Sequence, residues 1–189
     1  MSLFKDIVKD LSNADIGWMN DKASFYEYGY LLAAEKISVD YEKLHVQEKD
    51  SLIFPIIFLY RQHIELSLKG IIRELDLKLK FNRKDKILDR HHLLDLWDAS
   101  DKCYNDFIQI NSISLVFTNS STAKERGIVK EFNNIDNQSF SFRYPTNISG
   151  NKNLQDLTYI SLNNFQTEIS LVVDHIKKMI ETLAHTDDL

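Results

Sequence analysis

The sequence predicts an all-α protein, a bundle of about five to six helices. Three observations carry that expectation. Only five glycines and two prolines in 189 residues leave long stretches without a helix breaker. Apolar residues recur at helical spacing in several separate stretches. One of these, Ser51 to Leu75, is apolar on two sides: Ile57, Tyr60, Ile64, Leu68, Ile71 and Leu75 make one stripe, and Ile56, Leu59, His63, Leu66 and Gly70 make a second on roughly the opposite side. Such a helix has neighbours on two faces and forms the centre of the bundle. Arg61, Glu65 and Lys69 lie between the stripes at i, i+4 and i+8, with Gln62 and Arg73 beside them.

In chain order, Leu3, Phe4, Ile7, Val8 and Leu11 predict a short outer helix that Ser12 and Asn13 can end. From Asp21 a long helix is expected through Phe25, Tyr26, Leu32, Ala33, Ile37, Tyr41 and Leu44. Its aromatic cluster Phe25, Tyr26, Tyr28 and Tyr30 reads as core rather than as a base-stacking platform, because large rings at helical spacing are usually buried. Asp50 or Ser51 can cap the central helix, which puts Pro55 in the first turn, where its missing N–H breaks no bond. A further helix carries Leu93, Leu96, Trp97, Cys103, Tyr104, Phe107 and Ile110, and a shorter one Val129, Phe132 and Ile135, weakened by Gly127. Residues Asp136 to Asn153 form the longest irregular segment, and loops of that length in compact domains are often functional. The alternation Ser139, Phe140, Ser141, Phe142, Arg143 leaves room for a small extended element near 139–144. From Asp156 a last helix runs through Leu157, Phe165, Ile169, Val172, Ile176, Met179 and Leu183, close to a heptad that could pair with its twin.

Composition narrows the function classes. No linker-like tract divides the chain, so residues 1–189 read as one domain. The longest apolar run, Leu52 to Tyr60, is too short for a membrane span and the N-terminus lacks a leader pattern, so a cytoplasmic protein is expected. The single cysteine, Cys103, excludes an intramolecular disulfide and falls at a core position. A net charge of -5 argues against non-specific coating of nucleic acid. One basic patch stands out: Lys78, Lys80, Arg83, Lys84, Lys86 and Arg90 against Asp85 and Asp89, a local balance of +4. It reads either as a solvated connection or as a phosphate contact surface, with His91 and His92 at the start of the next helix, where backbone N–H groups favour an anion.

The candidate site residues follow from side-chain chemistry. Arg61, Glu65 and Lys69 are either an ion-pair ladder or the lining of a ligand groove. His63 sits on an apolar stripe, where a satisfied core histidine competes with a functional one. Arg143 is the one arginine of the long loop, between Phe142 and Tyr144, and Pro145 stiffens the chain after them. It either meets a phosphate or carboxylate, with Ser141 and Tyr144 beside it, or pairs with Asp136 or Glu131 to pin the loop. His175 and His185 read as solvent-facing, and no spacing resembles a metal-ligand set, so neither metal nor cofactor is expected. No Gly-rich phosphate loop, dinucleotide fingerprint or nucleophile elbow occurs.

Four features in this order resemble the HEPN superfamily: a buried helix with Glu65 and Lys69 in ELSLKGII, a histidine ahead of Leu93, Leu94 and Leu96 in HHLLDLW, the tripeptide Arg143-Tyr144-Pro145, and a long closing helix. The resemblance covers roughly residues 20 to 185. It implies a helical bundle, commonly a homodimer, of bacterial toxin–antitoxin or antiphage systems. Many relatives of that kind are metal-independent ribonucleases whose hallmark is an arginine followed, after four to six residues, by a histidine. No pair here fits that spacing: Arg61 and His63 have one residue between them, Arg83 and His91 have seven, and the next histidine after Arg143 is His175. Metal-independent RNA cleavage needs a base, an acid and a cation, and Arg143, His91 and His92 are the residues of those types that could meet across the fold or a dimer interface. Two readings therefore stay open. One is an RNA-directed protein of bacterial defence or toxin–antitoxin type, with a noncanonical endoribonuclease as its sharpest form. The other is a non-catalytic dimeric module that binds a nucleotide-like ligand or a protein partner through Arg61, His63, Glu65, Lys69 and the loop.

Overall fold

The computed structural model describes residue 14 and residues 23–80, 86–111, 113 and 121–186. Among these are five α-helices: α1 (Ala23–Ser38), α2 (Val46–Leu79), α3 (Leu93–Ile110), α4 (Ala123–Ile135) and α5 (Leu162–His185), with short 3-10 turns at Tyr41–Lys43 and Lys86–Asp89. The all-α expectation holds, and no strand occurs among the described residues. The helix expected over Leu3 to Leu11, and Arg83, Lys84 and Asp85 of the basic segment, lie outside the described residues. Among the described residues no helix is long and apolar enough to cross a membrane.

Helix α2 is the centre that its two stripes predict. It packs against α1, α3 and α5, while α4 lies across α3 and α5. Ile56, Ile64, Leu68 and Leu75 are completely buried, and Leu93, Leu96, Trp97 and Tyr104 of α3 close over them with Val129 of α4 and Val172 and Ile176 of α5. Each such side chain contributes about 1.5 to 3 kcal/mol on leaving water. Phe132 of α4 meets Phe142 and Phe165 edge-on, at 6.2 and 5.8 Å, so it ties the segment before α5 to α4 and α4 to α5. Cys103 is buried, as its position predicts.

Several boundaries differ from expectation, each for a local reason. Helix α2 begins at Val46 rather than near Ser51, because His45 and Glu48 form a capping box in which the His45 backbone N–H donates to Glu48 at 2.9 Å. Pro55 therefore lies well inside the helix. Its missing N–H deprives the Ser51 carbonyl of a donor, and Ser51, Phe54 and Pro55 are all on the exposed side, where that loss is cheapest. Helix α1 ends at Ser38, and Asp40 takes a left-handed conformation at φ 59° before the 3-10 turn. Only one face of α1 rests on α2. Half of its aromatic cluster is accordingly not core: Tyr26 is 68% and Tyr28 58% exposed, while Phe25 and Tyr30 are partly buried.

Helix α5 begins at Leu162, not Asp156, with the Ser161 hydroxyl accepting from the Asn164 N–H at 3.3 Å. Its heptad positions Ile169, Val172, Ile176 and Met179 face this chain's own core, so that seam is closed to a twin. His175, expected at the surface, is buried beside Trp97 with ring centroids 5.3 Å apart. Residues 139–144 are not extended: the Phe140 carbonyl accepts from the N–H groups of both Arg143 and Tyr144 at 3.1 Å, which is a helical turn. The reason for that turn lies in the site.

Candidate functional site

Arg61, Glu65 and Lys69 form a buried ladder along α2. Helical spacing sets Glu65 one turn from each cation, and its carboxylate accepts from Arg61 Nη1 at 2.7 Å and from Lys69 Nζ at 2.9 Å. A third donor comes from outside the helix: His91 Nδ1 lies 2.8 Å from Glu65 Oε1. Burial by itself works against the ionised carboxyl, but the hydrogen bonds and charges of Lys69 and Arg61 outweigh it and hold Glu65 below its ordinary value. Arg61 is wholly enclosed and distributes its remaining donors to backbone, with Nη2 on the His91 carbonyl at 2.6 Å and Nε on the Asp136 carbonyl at 3.1 Å. The ladder is thus the structural alternative of the two readings, not a ligand groove: Arg61 has no free edge to offer.

His91 is the exception within this network. Its side chain is 53% exposed although its partner Glu65 is only 4% exposed. An ionised, buried carboxylate on Nδ1 fixes the ring orientation and the tautomer, and leaves Nε2 without a hydrogen bond among the described residues. His92 is the N-cap residue of α3 and gives no side-chain cap; its Nε2 lies 2.8 Å from the side-chain amide of Gln138.

The Asp136 side chain organises the loop that carries Arg143. Buried at the end of α4, it sets Oδ2 3.3 Å from Arg61 Nε and receives the N–H groups of Phe140 and Ser141 on Oδ1 at 2.7 and 3.0 Å. Those two bonds wind the chain into the turn where the alternating pattern suggests an extended piece. Ser139 takes a left-handed φ of 61°, and its hydroxyl accepts from Gln62 of α2 at 2.7 Å. Arg143 Nε then donates to the Ser139 carbonyl at 2.5 Å, and its guanidinium stacks on Phe58, Phe140 and Tyr144 at 5.3, 5.0 and 5.4 Å from the ring centroids. Arg143 thus pairs with neither Asp136 nor Glu131. It is held by rings and one carbonyl, exposed, with its Nη groups turned to no partner among the described residues.

Arg143, Ser141 and Tyr144 line a groove of about 860 Å³ between the N-terminal half of α2 and residues 141–160. Neither His91 nor His92 lines it. The structure therefore divides the predicted residues: Arg61, Glu65, Lys69 and His91 in one network, Arg143, Ser141 and Tyr144 in one groove, and His92 in neither, bonded to Gln138. His63 belongs to neither. It is buried beneath α1, its Nδ1 donates to the Glu27 carbonyl at 3.0 Å, and burial lowers its pKa against that bond. Asp136, Gln62 and Ser139, which join the two regions, carry no sequence signal except that Asp136 opens the long loop. Among the described residues no group of three His, Cys, Asp or Glu side chains is placed to hold a metal ion. Comparison with known proteins finds no matching family model, no similar curated protein and no similar solved structure.

Proposed function

We propose that the protein is an RNA-directed, HEPN-like protein of bacterial defence or toxin–antitoxin type, acting as a noncanonical metal-independent endoribonuclease centred on His91. The observation that supports this reading is the 2.8 Å bond from His91 Nδ1 to the buried Glu65 carboxylate, which aims a half-exposed imidazole outward from the edge of the basic segment. His91 Nε2 takes the proton of a ribose 2′-OH; the 2′-oxygen attacks the adjacent phosphorus; the 5′-oxygen leaves with a proton from His92. The products are a 2′,3′-cyclic phosphate and a 5′-hydroxyl. Lys86 and Arg90, both exposed beside the histidines, supply positive charge for the phosphorane, although Arg90 is shared with Asp95 at 3.0 Å. Glu65 acts through His91, holding one tautomer and stabilising the imidazolium once it forms. The homodimer and an antitoxin-like protein partner remain part of this reading through the resemblance alone.

The test is cleavage of a 5′-labelled RNA by purified protein in the presence of EDTA, with analysis of the product termini. His91→Ala is expected to lower the rate about 100-fold or more, the size of a general-base contribution. Undiminished cleavage by His91→Ala, or dependence on added metal, excludes this mechanism. Light scattering decides the dimer: a mass near 22.1 kDa at micromolar concentration is a monomer.

A further inference from the structure

The groove that Arg143 lines carries chemistry the histidine site does not use. Three aromatic side chains on its walls are unusually bare: Tyr159 is 92%, Tyr144 48% and Phe54 42% exposed. Exposed rings gathered on one concave surface leave apolar area in water that a ligand can cover. Between them stand three cations, Lys49, Arg143 and Lys152, against the single carboxylate of Asp50. The volume of about 860 Å³ lies within the usual range for small-molecule sites.

The walls are also built in advance. Asn153 donates its side-chain amide to the Tyr144 carbonyl at 2.8 Å and its backbone N–H to the Pro145 carbonyl at 2.9 Å, while Asn147 Oδ1 receives the N–H groups of Ser149 and Asn151, both at 3.0 Å. The Thr146–Lys152 bridge closes the same loop. A guanidinium fixed through Nε and by three rings presents Nη1 and Nη2 in the planar fork that suits a phosphate. A flat ring beside it suits a nucleobase, which stacks with little regard to sequence.

We infer that this groove binds a nucleoside phosphate, with the phosphate on Arg143 and Lys152 and the base against Tyr159. The site is distinct from His91, so it stands or falls apart from the ribonuclease reading. The moiety comes either as a free nucleotide or as one unit of a single strand.

Isothermal titration with AMP, adenosine, inorganic phosphate and a six-nucleotide oligoadenylate tests the inference, using wild type, Arg143→Ala, Tyr159→Ala and the distant exposed variant Lys177→Ala. AMP is expected to bind wild type at least about tenfold tighter than adenosine or phosphate alone, because each half lacks one contact. Arg143→Ala and Tyr159→Ala each weaken AMP about tenfold or more, and Lys177→Ala leaves it unchanged. Tyr159 is so exposed that its loss leaves the melting temperature unaltered, which separates binding from folding. An oligoadenylate that binds more than about tenfold tighter than AMP assigns the groove to a strand, and equal affinity assigns it to a free nucleotide. Either supports the site. Absence of AMP and oligoadenylate binding at millimolar concentration, or binding indifferent to both groove variants, overturns it. RNA cleavage that depends on His91 without any such binding leaves the proposed function intact while removing this site; binding without cleavage does the reverse.

Discussion

Arg61 and Arg143 are both tied to the turn that Asp136 opens, yet one is completely buried with carboxylate and carbonyl oxygens on all three nitrogens, and the other is exposed with a carbonyl on Nε alone. The difference reflects what each environment demands. A guanidinium removed from water is stable only when its donors are matched, so Arg61 became a junction between α2, the His91 segment and the Asp136 loop. A guanidinium at the surface can be held by stacking and one bond while its outer edge stays available, as at Arg143. Asp136 links the two, since it faces Arg61 with one oxygen and winds the Arg143 turn with the other.

The largest expected effect breaks the buried side of this comparison. Arg61→Ala leaves Glu65 and Asp136 enclosed without their common partner and should cost about 3 to 5 kcal/mol in urea denaturation. Arg61→Lys should recover little of it, because one ammonium cannot reach three acceptors on different elements. A loss below about 1 kcal/mol for the alanine variant would mean that the buried junction is not what holds the loop.

Glu65→Gln should cost about 1 to 3 kcal/mol at neutral pH, since Arg61 and Lys69 then face a neutral amide. It also sharpens the pH dependence. A carboxyl whose folded value lies below its unfolded value contributes stability that is present above the unfolded value and lost as pH falls through the folded one. Wild-type stability should therefore decline below the ordinary carboxylate value of 4.5, and Glu65→Gln should flatten that decline. Identical acid limbs for the two proteins would count against the ladder as its source.

At the buried histidines and at Glu27 the linkage runs two ways. Burial lowers the pKa values of His63 and His175, so both contribute stability that is lost as pH falls below their ordinary 6.5. Burial raises Glu27 despite its bond to Ser67, so its contribution has the opposite sign: present below 4.5 and lost as pH rises through the folded value. Glu27→Gln should accordingly raise the melting temperature at pH 8 and leave it unchanged at pH 4. A drop at pH 8 would show that the ionised carboxylate stabilises α1 instead.

Between the two arginines the smaller expected effect on stability belongs to Arg143→Ala, about 0.5 to 1 kcal/mol, the range for exposed cation–π contacts. A loss as large as that of Arg61→Ala would erase the distinction between a buried junction and a presented side chain, and with it the case for Arg143 as a binding residue.

Periodicity alone determined the all-α class, the centrality of α2, the spacing of Glu65 between Arg61 and Lys69, and the burial of Cys103, because each depends on neighbours within a few turns of one helix. Local chemistry also marks the start of α2, since His45 and Glu48 stand three residues apart, whereas Pro55 by itself suggests a later start. What the tertiary structure alone decided is which faces are covered and which distant groups meet. Tyr26 and Tyr28 are exposed because, among the described residues, α1 packs chiefly on α2, and His175 is buried because Trp97 of α3 packs against it. His91 joins Glu65 at a sequence separation of 26, and Asp136 joins Arg61 at a separation of 75. Pairings at such separation leave no period in the chain, since a buried charge is satisfied by whichever donor the packing of helices brings within 3 Å or so, and that packing is a property of the whole bundle.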